Sequence, residues 1–191
     1  MKTFKNLALI AIVAILTFSF TKVNGQQKEI KIENSKVVWK GYKVTGSHEG
    51  TINLKSGFLT FNEGKLTGGE FVMNMNSLIT TDLEGEYKGK LEGHLKSDDF
   101  FGVEKNPTAA LIFTKVEQNG KNAYKVNGDL TIKGITKQIV FDFSVYGNKA
   151  TTSLKVDRTK YDVRYGSTSF FDNLKDKAIY DEFDLIADLE F

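Results

Sequence analysis

The chain of 191 residues contains no cysteine, one proline, one tryptophan and two histidines. Each shortage removes a class of explanation. Without cysteine there is no disulfide to staple the fold, no thiolate for a zinc site, no thiol nucleophile and no lipid-modified N-terminal cysteine. The two histidines, His48 and His94, lack the H-E-x-x-H spacing of a zinc helix, and no G-x-S-x-G nucleophile motif is present. The formal net charge is only +2, with the two signs interspersed, so the chain has no basic tract suited to nucleic acid. Beyond the N-terminus no apolar run approaches the length of a membrane-spanning helix.

What is present begins with a leader pattern. Lys2 and Lys5 precede an uninterrupted apolar run at residues 7–16, and Val23-Asn24-Gly25 offers small-to-medium residues for cleavage. The pattern predicts a signal peptide over residues 1–25, cut before Gln26, and hence a periplasmic or secreted protein. Residues 26–191 then form one domain, long enough to bury roughly two thirds of its unfolded surface. Losing Lys2, Lys5 and Lys22 with the leader would bring the formal charge from +2 to about −1. The remaining chain has no segment to span a membrane.

Seventeen glycines and fifteen phenylalanines suit strands joined by tight turns. Period-two alternation recurs along the chain. Phe71, Met73 and Met75 alternate with Val72, Asn74 and Asn76; Val126, Leu130 and Ile132 share a parity opposed by Lys125, Asp129 and Thr131. Ile139, Phe141, Phe143 and Val145 repeat the pattern, as do Phe183, Leu185, Ala187, Leu189 and Phe191. One apolar face per strand marks antiparallel strands covering a single interior. Turn signals stand between the runs at Glu63-Gly64, Thr67-Gly68-Gly69, Asn119-Gly120 and Gly147-Asn148. About eight such runs predict an all-β fold, an eight-stranded antiparallel barrel whose closure removes its sheet edges. A two-sheet sandwich is the structural competitor.

Two places read as helical. Leu83, Tyr87, Leu91 and Leu95 form one stripe over residues 83–95, notched by Gly85, Gly89 and Gly93, which suggests a close approach to the barrel end. Ser97 would cap a further turn through Phe100, stopped by Gly102. Residues 172–178 allow only a turn or two.

The polar cluster in "KLEGHLKSDDFF", residues 90–101, invites a catalytic reading, since His94 and Asp98 are four apart. An activated nucleophile is missing, however, and the sequence assigns no catalytic residue. His48-Glu49 joining His94 would make a metal site only through the fold, so no metal or cofactor is expected. "KLTGGEF" lacks the ending of a phosphate loop and reads as a hairpin turn. The positive signal is apolar. Trp39, Phe61, Phe71, Met73, Met75, Phe113, Phe141, Phe143 and Phe183 all fall on inward parities, enough either to fill a small barrel or to wall a slot in it.

"VVWKGYKVTGSHEGTINLKSGFLTF", "LTGGEFVMNMNSL", "KLEGHLKSDDFFGVEKNPTAALIF" and "YKVNGDLTIKGITKQIVF" occur in order and cover nearly all of the chain after the leader. They resemble the YceI-like family of secreted bacterial proteins. The resemblance implies an extended lipocalin-like barrel holding a long amphiphile, a polyisoprenoid quinone-like lipid or a fatty acid or amide, with no established catalytic residues. Carried over by position, it makes Trp39, Phe71, Met73, Met75, Leu111, Phe113, Leu130 and Ile132 wall residues, beside the inward Phe141 and Phe143. Leu91, Leu95, Phe100 and Phe101 would cover or line the mouth, and His48, with His94 second, would meet a headgroup. The leading expectation is thus a lipid carrier rather than an enzyme, with an isoprenoid or acyl lipid as its partner; the sequence leaves homodimerisation open. The alternative is an eight-stranded outer-membrane barrel, favoured by the alternating segment that ends on Phe191.

Overall fold

Eight antiparallel strands close on themselves in the computed structural model, which describes residues 25–191. The expected leader, residues 1–25, lies outside the described residues but for Gly25. In chain order the strands are β1 (Gln26–Glu29), β2 (Lys36–Lys43), β3 (Gly46–Asn62), β4 (Lys65–Thr80), β5 (Thr108–Gln118), β6 (Ala123–Ile132), β7 (Ile135–Tyr146), β8 (Lys149–Asp157) and β9 (Glu182–Glu190). The ring runs from β2 through β9, and closes where Leu185 of β9 stands opposite Trp39 of β2. β1 is not a ninth stave. It pairs with the far half of β3, Gln26 opposite Phe61, whereas β2 pairs with the near half, Trp39 opposite Gly50. One stave is therefore broken by a 3-10 turn at Ile32–Asn34. The Ile30 and Lys31 N–H groups carry the bonding across the break, to the carbonyls of Gly57 (2.9 Å) and Glu190 (2.7 Å).

Alternation decides which face is wet. Tyr124, Val126, Leu130 and Ile132 of β6 and Phe141 and Phe143 of β7 are buried, while Lys55, Lys115, Lys125, Asp142 and Lys155 on the opposite parity are exposed. A membrane barrel needs the reverse, an outward apolar band with aromatic girdles. The charged exterior therefore disfavours the outer-membrane alternative. Parity flips at bulges on β3, β4 and β5 that alternation alone does not locate. On β3 the inward set passes from Ile52 and Leu54 to Leu59 and Phe61, across a register shift between Leu54 and Ser56. On β4 it passes from Phe71 and Met75 to Leu78 and Thr80, where the Ser77 hydroxyl bridges the carbonyl of Asn74 (2.6 Å) and the N–H of Asn53 (2.8 Å).

The glycine pair Gly68-Gly69, expected as a turn, lies inside β4. The chain reverses earlier, at Glu63 and Gly64, whose φ of 50° and 76° suit the tight primed turn. Gly69 is needed for another reason: a Cβ there would stand 3.0 Å from Leu59 and 3.1 Å from Phe113. It lets the core close over the strand.

The two ends of the barrel differ. One end is sealed by the turns after β3, β5 and β7, with Leu59, Leu66, Tyr124 and Phe191 buried beneath them. The other end carries two long insertions, at residues 81–107 and 158–181. The first contains α1 (Gly85–Lys96), followed by turns in which Gly102, at φ 55°, donates its N–H to the Ser97 carbonyl (2.8 Å). Several expectations for this helix need correction. The stripe holds for Leu91 and Leu95, but Tyr87 is 74% exposed and faces outward. Gly85, Gly89 and Gly93 meet nothing within 4 Å, so they mark no close approach. Asp98 falls beyond the helix and pairs with Lys105 rather than His94. The other helical segment is a single 3-10 turn, Lys175–Lys177.

Candidate functional site

The barrel is not solid. A cavity of about 450 Å³, within the range of ordinary ligand sites, is bordered by the insertions at one end and reaches between the strands as far as Phe143 and Leu189. The strands supply its walls. Trp39 enters from β2, Phe71, Met73 and Met75 from β4, Leu111 and Phe113 from β5, Leu130 and Ile132 from β6, and Phe141 and Phe143 from β7. Phe113 forms much of the floor, with its ring 5.6 Å from those of Phe71 and Phe141 and 5.3 Å from that of Phe143. Such tilted and edge-on aromatic contacts fix the rings and keep the floor shut. Leu91 and Leu95 of α1, Phe100 and Phe101 after it, and His48 at the start of β3 complete the fifteen residues singled out in the sequence. All fifteen border this one cavity. Phe61, also placed inward by alternation, lies outside it, in the sealed half against Phe191 (5.4 Å between rings).

The mouth holds residues that alternation did not reveal. Arg158 is 2% exposed, although it borders the cavity. Its Nε donates to the Tyr180 carbonyl (3.0 Å), Nη1 to that of Val163 (2.7 Å) and Nη2 to that of Ile179 (3.0 Å). Burial pulls its pKa below the ordinary guanidinium value, while Asp181 and Asp157 oppose that pull. The charge is retained and spent on backbone oxygens. Arg158 thereby ties residues 163–181, a strap with no strand of its own, across the barrel end. Tyr161 beside it is 1% exposed and its hydroxyl has no hydrogen-bond partner, so burial, with Asp157 adding, pushes its pKa up to about 12. Tyr165, Ile179 and Tyr180 from the strap also line the opening. The one sequence signal for this group is Arg158, one of two arginines, just past the end of β8 on the inward parity of Leu154 and Val156.

The two histidines occupy different settings. His48 Nδ1 lies 2.8 Å from Asp82 Oδ2, and Asp82 Oδ1 accepts the Glu49 N–H at 3.2 Å. Burial pushes the Asp82 carboxyl upward, but the bonds from His48 and Glu49 prevail and hold it below the usual carboxylate value. His94 turns inward. Its ring stands edge-on to Tyr165 (4.4 Å) and to Phe100 (5.7 Å), and its Nε2 is buried with no partner. Leaving such an atom unpaired costs about 1–3 kcal/mol. Outside the mouth, a cleft of about 330 Å³ between α1 and β3 shares His48, Leu91 and His94 with the main cavity. Among the described residues no group of three His, Cys, Asp or Glu side chains converges as a metal site would require. None of their helices is long and apolar enough to cross a membrane.

A family model described as a YceI-like domain matches residues 18–191. A UPF0312 protein of Pseudomonas aeruginosa is 34% identical over 100 residues, which cover 51% of this chain and 49% of that protein. A UPF0312 protein of Shewanella denitrificans is 29% identical over 98 residues, with the same coverage of 51% and 49%. The chain thus spans about half the length of the curated relatives it matches. Among solved structures, BcnA of Burkholderia cenocepacia superposes with a TM-score of 0.66 at 20% identity, covering 84% of this chain and 98% of BcnA. A polyisoprenoid binding domain from Saccharophagus degradans, implicated in plant cell wall breakdown, reaches a TM-score of 0.58 at 13% identity, covering 84% of this chain and 95% of that one. At these identities the likeness is one of fold.

Proposed function

The chain belongs to the YceI-like family, and from that premise we propose that it is a carrier holding one long amphiphilic lipid in its barrel, the lipid being a polyisoprenoid quinone-like molecule or a fatty acid or amide. The single observation that carries this reading is the cavity itself: about 450 Å³, walled by aromatic, methionine and aliphatic side chains, with its polar groups, Thr152 apart, gathered at the mouth. A tail would be drawn in by burial of apolar surface, at about 25 cal/mol per Å² before ordering costs are counted. The unbranched methionines Met73 and Met75 can adapt to an irregular chain. The function is binding rather than turnover, and the protein acts in the periplasm or outside the cell after losing residues 1–25. Likeness of fold to a polyisoprenoid binding domain supports the ligand class.

The test is direct. Protein recovered by osmotic shock from cells expressing the whole chain is extracted with organic solvent and the extract analysed by mass spectrometry. A long-chain lipid in near-stoichiometric amount is the expected result. Protein that arrives empty and then fails to take up prenyl quinones and fatty amides would sink the proposal. Recovery only in detergent extracts would overturn the periplasmic part.

A further inference from the structure

The cavity wall is apolar almost throughout, so a lipid headgroup must find its hydrogen bonds at the mouth. Of the polar groups there, Asp176, Lys177, Tyr165 and Tyr180 are exposed to solvent, and Arg158 and Tyr42 are already engaged. Three of the five Arg158 N–H donors go to backbone carbonyls, and Nη2 also faces Asp181 Oδ1 at 3.7 Å. The Tyr42 hydroxyl donates to Asp184 Oδ2 at 2.6 Å. The two histidines differ from these: His48 keeps one ring nitrogen without a partner among the described residues, and the buried His94 Nε2 has none either.

For His48 the available nitrogen has a defined character. Asp82 is acceptor-only when ionised, and it is held in place by the Glu49 N–H. The 2.8 Å contact therefore makes His48 Nδ1 the donor. In the neutral ring this leaves Nε2, on the edge away from Asp82, as a lone-pair acceptor. His94 Nε2 has no partner to fix its tautomer, and it is buried at the same wall. His48 and His94 both border the main cavity and the outer cleft, at the boundary between them. One committed acceptor and one adaptable nitrogen match a group that both donates and accepts. A hydroxyl does this; an ether or ester oxygen only accepts.

Resting on the lipid-cavity reading, we infer that His48 and His94 form a headgroup subsite that selects neutral lipids ending in a hydrogen-bond donor, an alcohol or a phenol, over the corresponding ethers. The headgroup O–H donates to His48 Nε2, and its oxygen accepts from His94 Nε2–H. The tail runs inward past Leu91 and Phe100. Asp82 is a positioning residue, which acts by setting the His48 tautomer.

The experiment compares geranylgeraniol with geranylgeranyl methyl ether, titrated into delipidated protein with displacement of a fluorescent fatty probe. The tails are identical and only the donor differs. The alcohol is expected to bind at least about tenfold tighter. The preference should shrink to less than about threefold in His94→Phe and in Asp82→Asn, since the asparagine amide no longer obliges Nδ1 to carry the proton. The ratio within the unaltered protein tests the subsite even if a variant folds poorly. Equal binding of the two probes, or tighter binding of the ether, overturns the headgroup subsite and leaves the lipid cavity standing. Failure to bind either probe overturns both. A preference undiminished in His94→Phe and Asp82→Asn overturns the assignment to these residues.

Discussion

At the sealed end of the barrel the turns after β3 and β7 are two residues long, and side chains fill the space between the strands; at the mouth, two connections run over residues 81–107 and 158–181 and the space is open. Apart from the stave shared by β1 and β2, the strands are continuous between the ends, so the difference lies in what the turns allow. Tight turns hold neighbouring strands in register and let Phe61, Phe191 and Tyr124 pack across the axis. The long connections cover the opening with groups held by a few specific bonds, notably those of Arg158. The sealed half supplies stability, and the open half supplies a site whose chemistry can vary without disturbing the barrel.

The division predicts separable effects. Phe61→Ala should cost about 3–5 kcal/mol, lowering the melting temperature by about 6–20 °C, because a buried ring is removed from a closed core. Lipid taken up per folded molecule should stay the same; calorimetry together with extraction would show a loss of both if the halves are not separate. Arg158→Met should cost about 2–3 kcal/mol through its charged hydrogen bonds, and limited proteolysis should cut within residues 163–181 while the strands resist. Cleavage spread over the strands would mean that Arg158 supports the whole barrel and not the strap alone.

A smaller effect belongs to pH. The folded state holds the Tyr161 proton up to about 12, whereas the unfolded chain releases it near 10.0. Its stabilising contribution is therefore complete below pH 10 and lost as the pH rises toward 12. Denaturant melts across that window should show a decline that Tyr161→Phe reduces. Asp82 and Asp184 are displaced the other way: burial opposes the shift at Asp82, where the His48 bond prevails, and the Tyr42 bond leads at Asp184. Their contribution is present above the ordinary carboxylate value of 3.8 and lost as the pH falls below it. The smallest change should be a gain. Gly89→Ala adds a methyl where nothing lies within 4 Å and should stabilise α1 by up to about 1 kcal/mol. A loss on thermal melting would show that the helix needs the notch after all.

How far the sequence disclosed the molecule follows from the same division. Strand walls are legible because alternation is a local consequence of the pleat, and it placed Phe71, Met73, Phe113, Phe141 and Phe143 around the cavity. The bulges at Leu54–Ser56 and Asn74–Ile79 were not legible, since they depend on register with a neighbour. Gly69 and Gly89 show why glycine misleads. The first is required by Leu59 and the Phe113 ring on the two neighbouring strands, and the second is required by nothing nearby. Arg158 was missed because its partners are backbone carbonyls, which every residue carries. Whether His94 pointed in or out depended on Tyr165, more than seventy residues further along the chain and on a strap without periodicity.

The broken stave has a practical consequence. β1 lies along the far half of β3, and Lys28 Nζ sits 5.1 Å from the rings of both Phe61 and Phe191. The first described strand and the last residue thus meet at one pole, opposite the entrance. A bead, a surface or a fused domain attached beside Gln26 or Phe191 would leave the entrance unobstructed, so the barrel can be anchored as an oriented sensor for hydrophobic solutes. A short peptide joining residue 191 to Gln26 would span little distance, which makes circular permutation, with new termini cut into an exposed turn such as Asn119-Gly120, a natural way to engineer it.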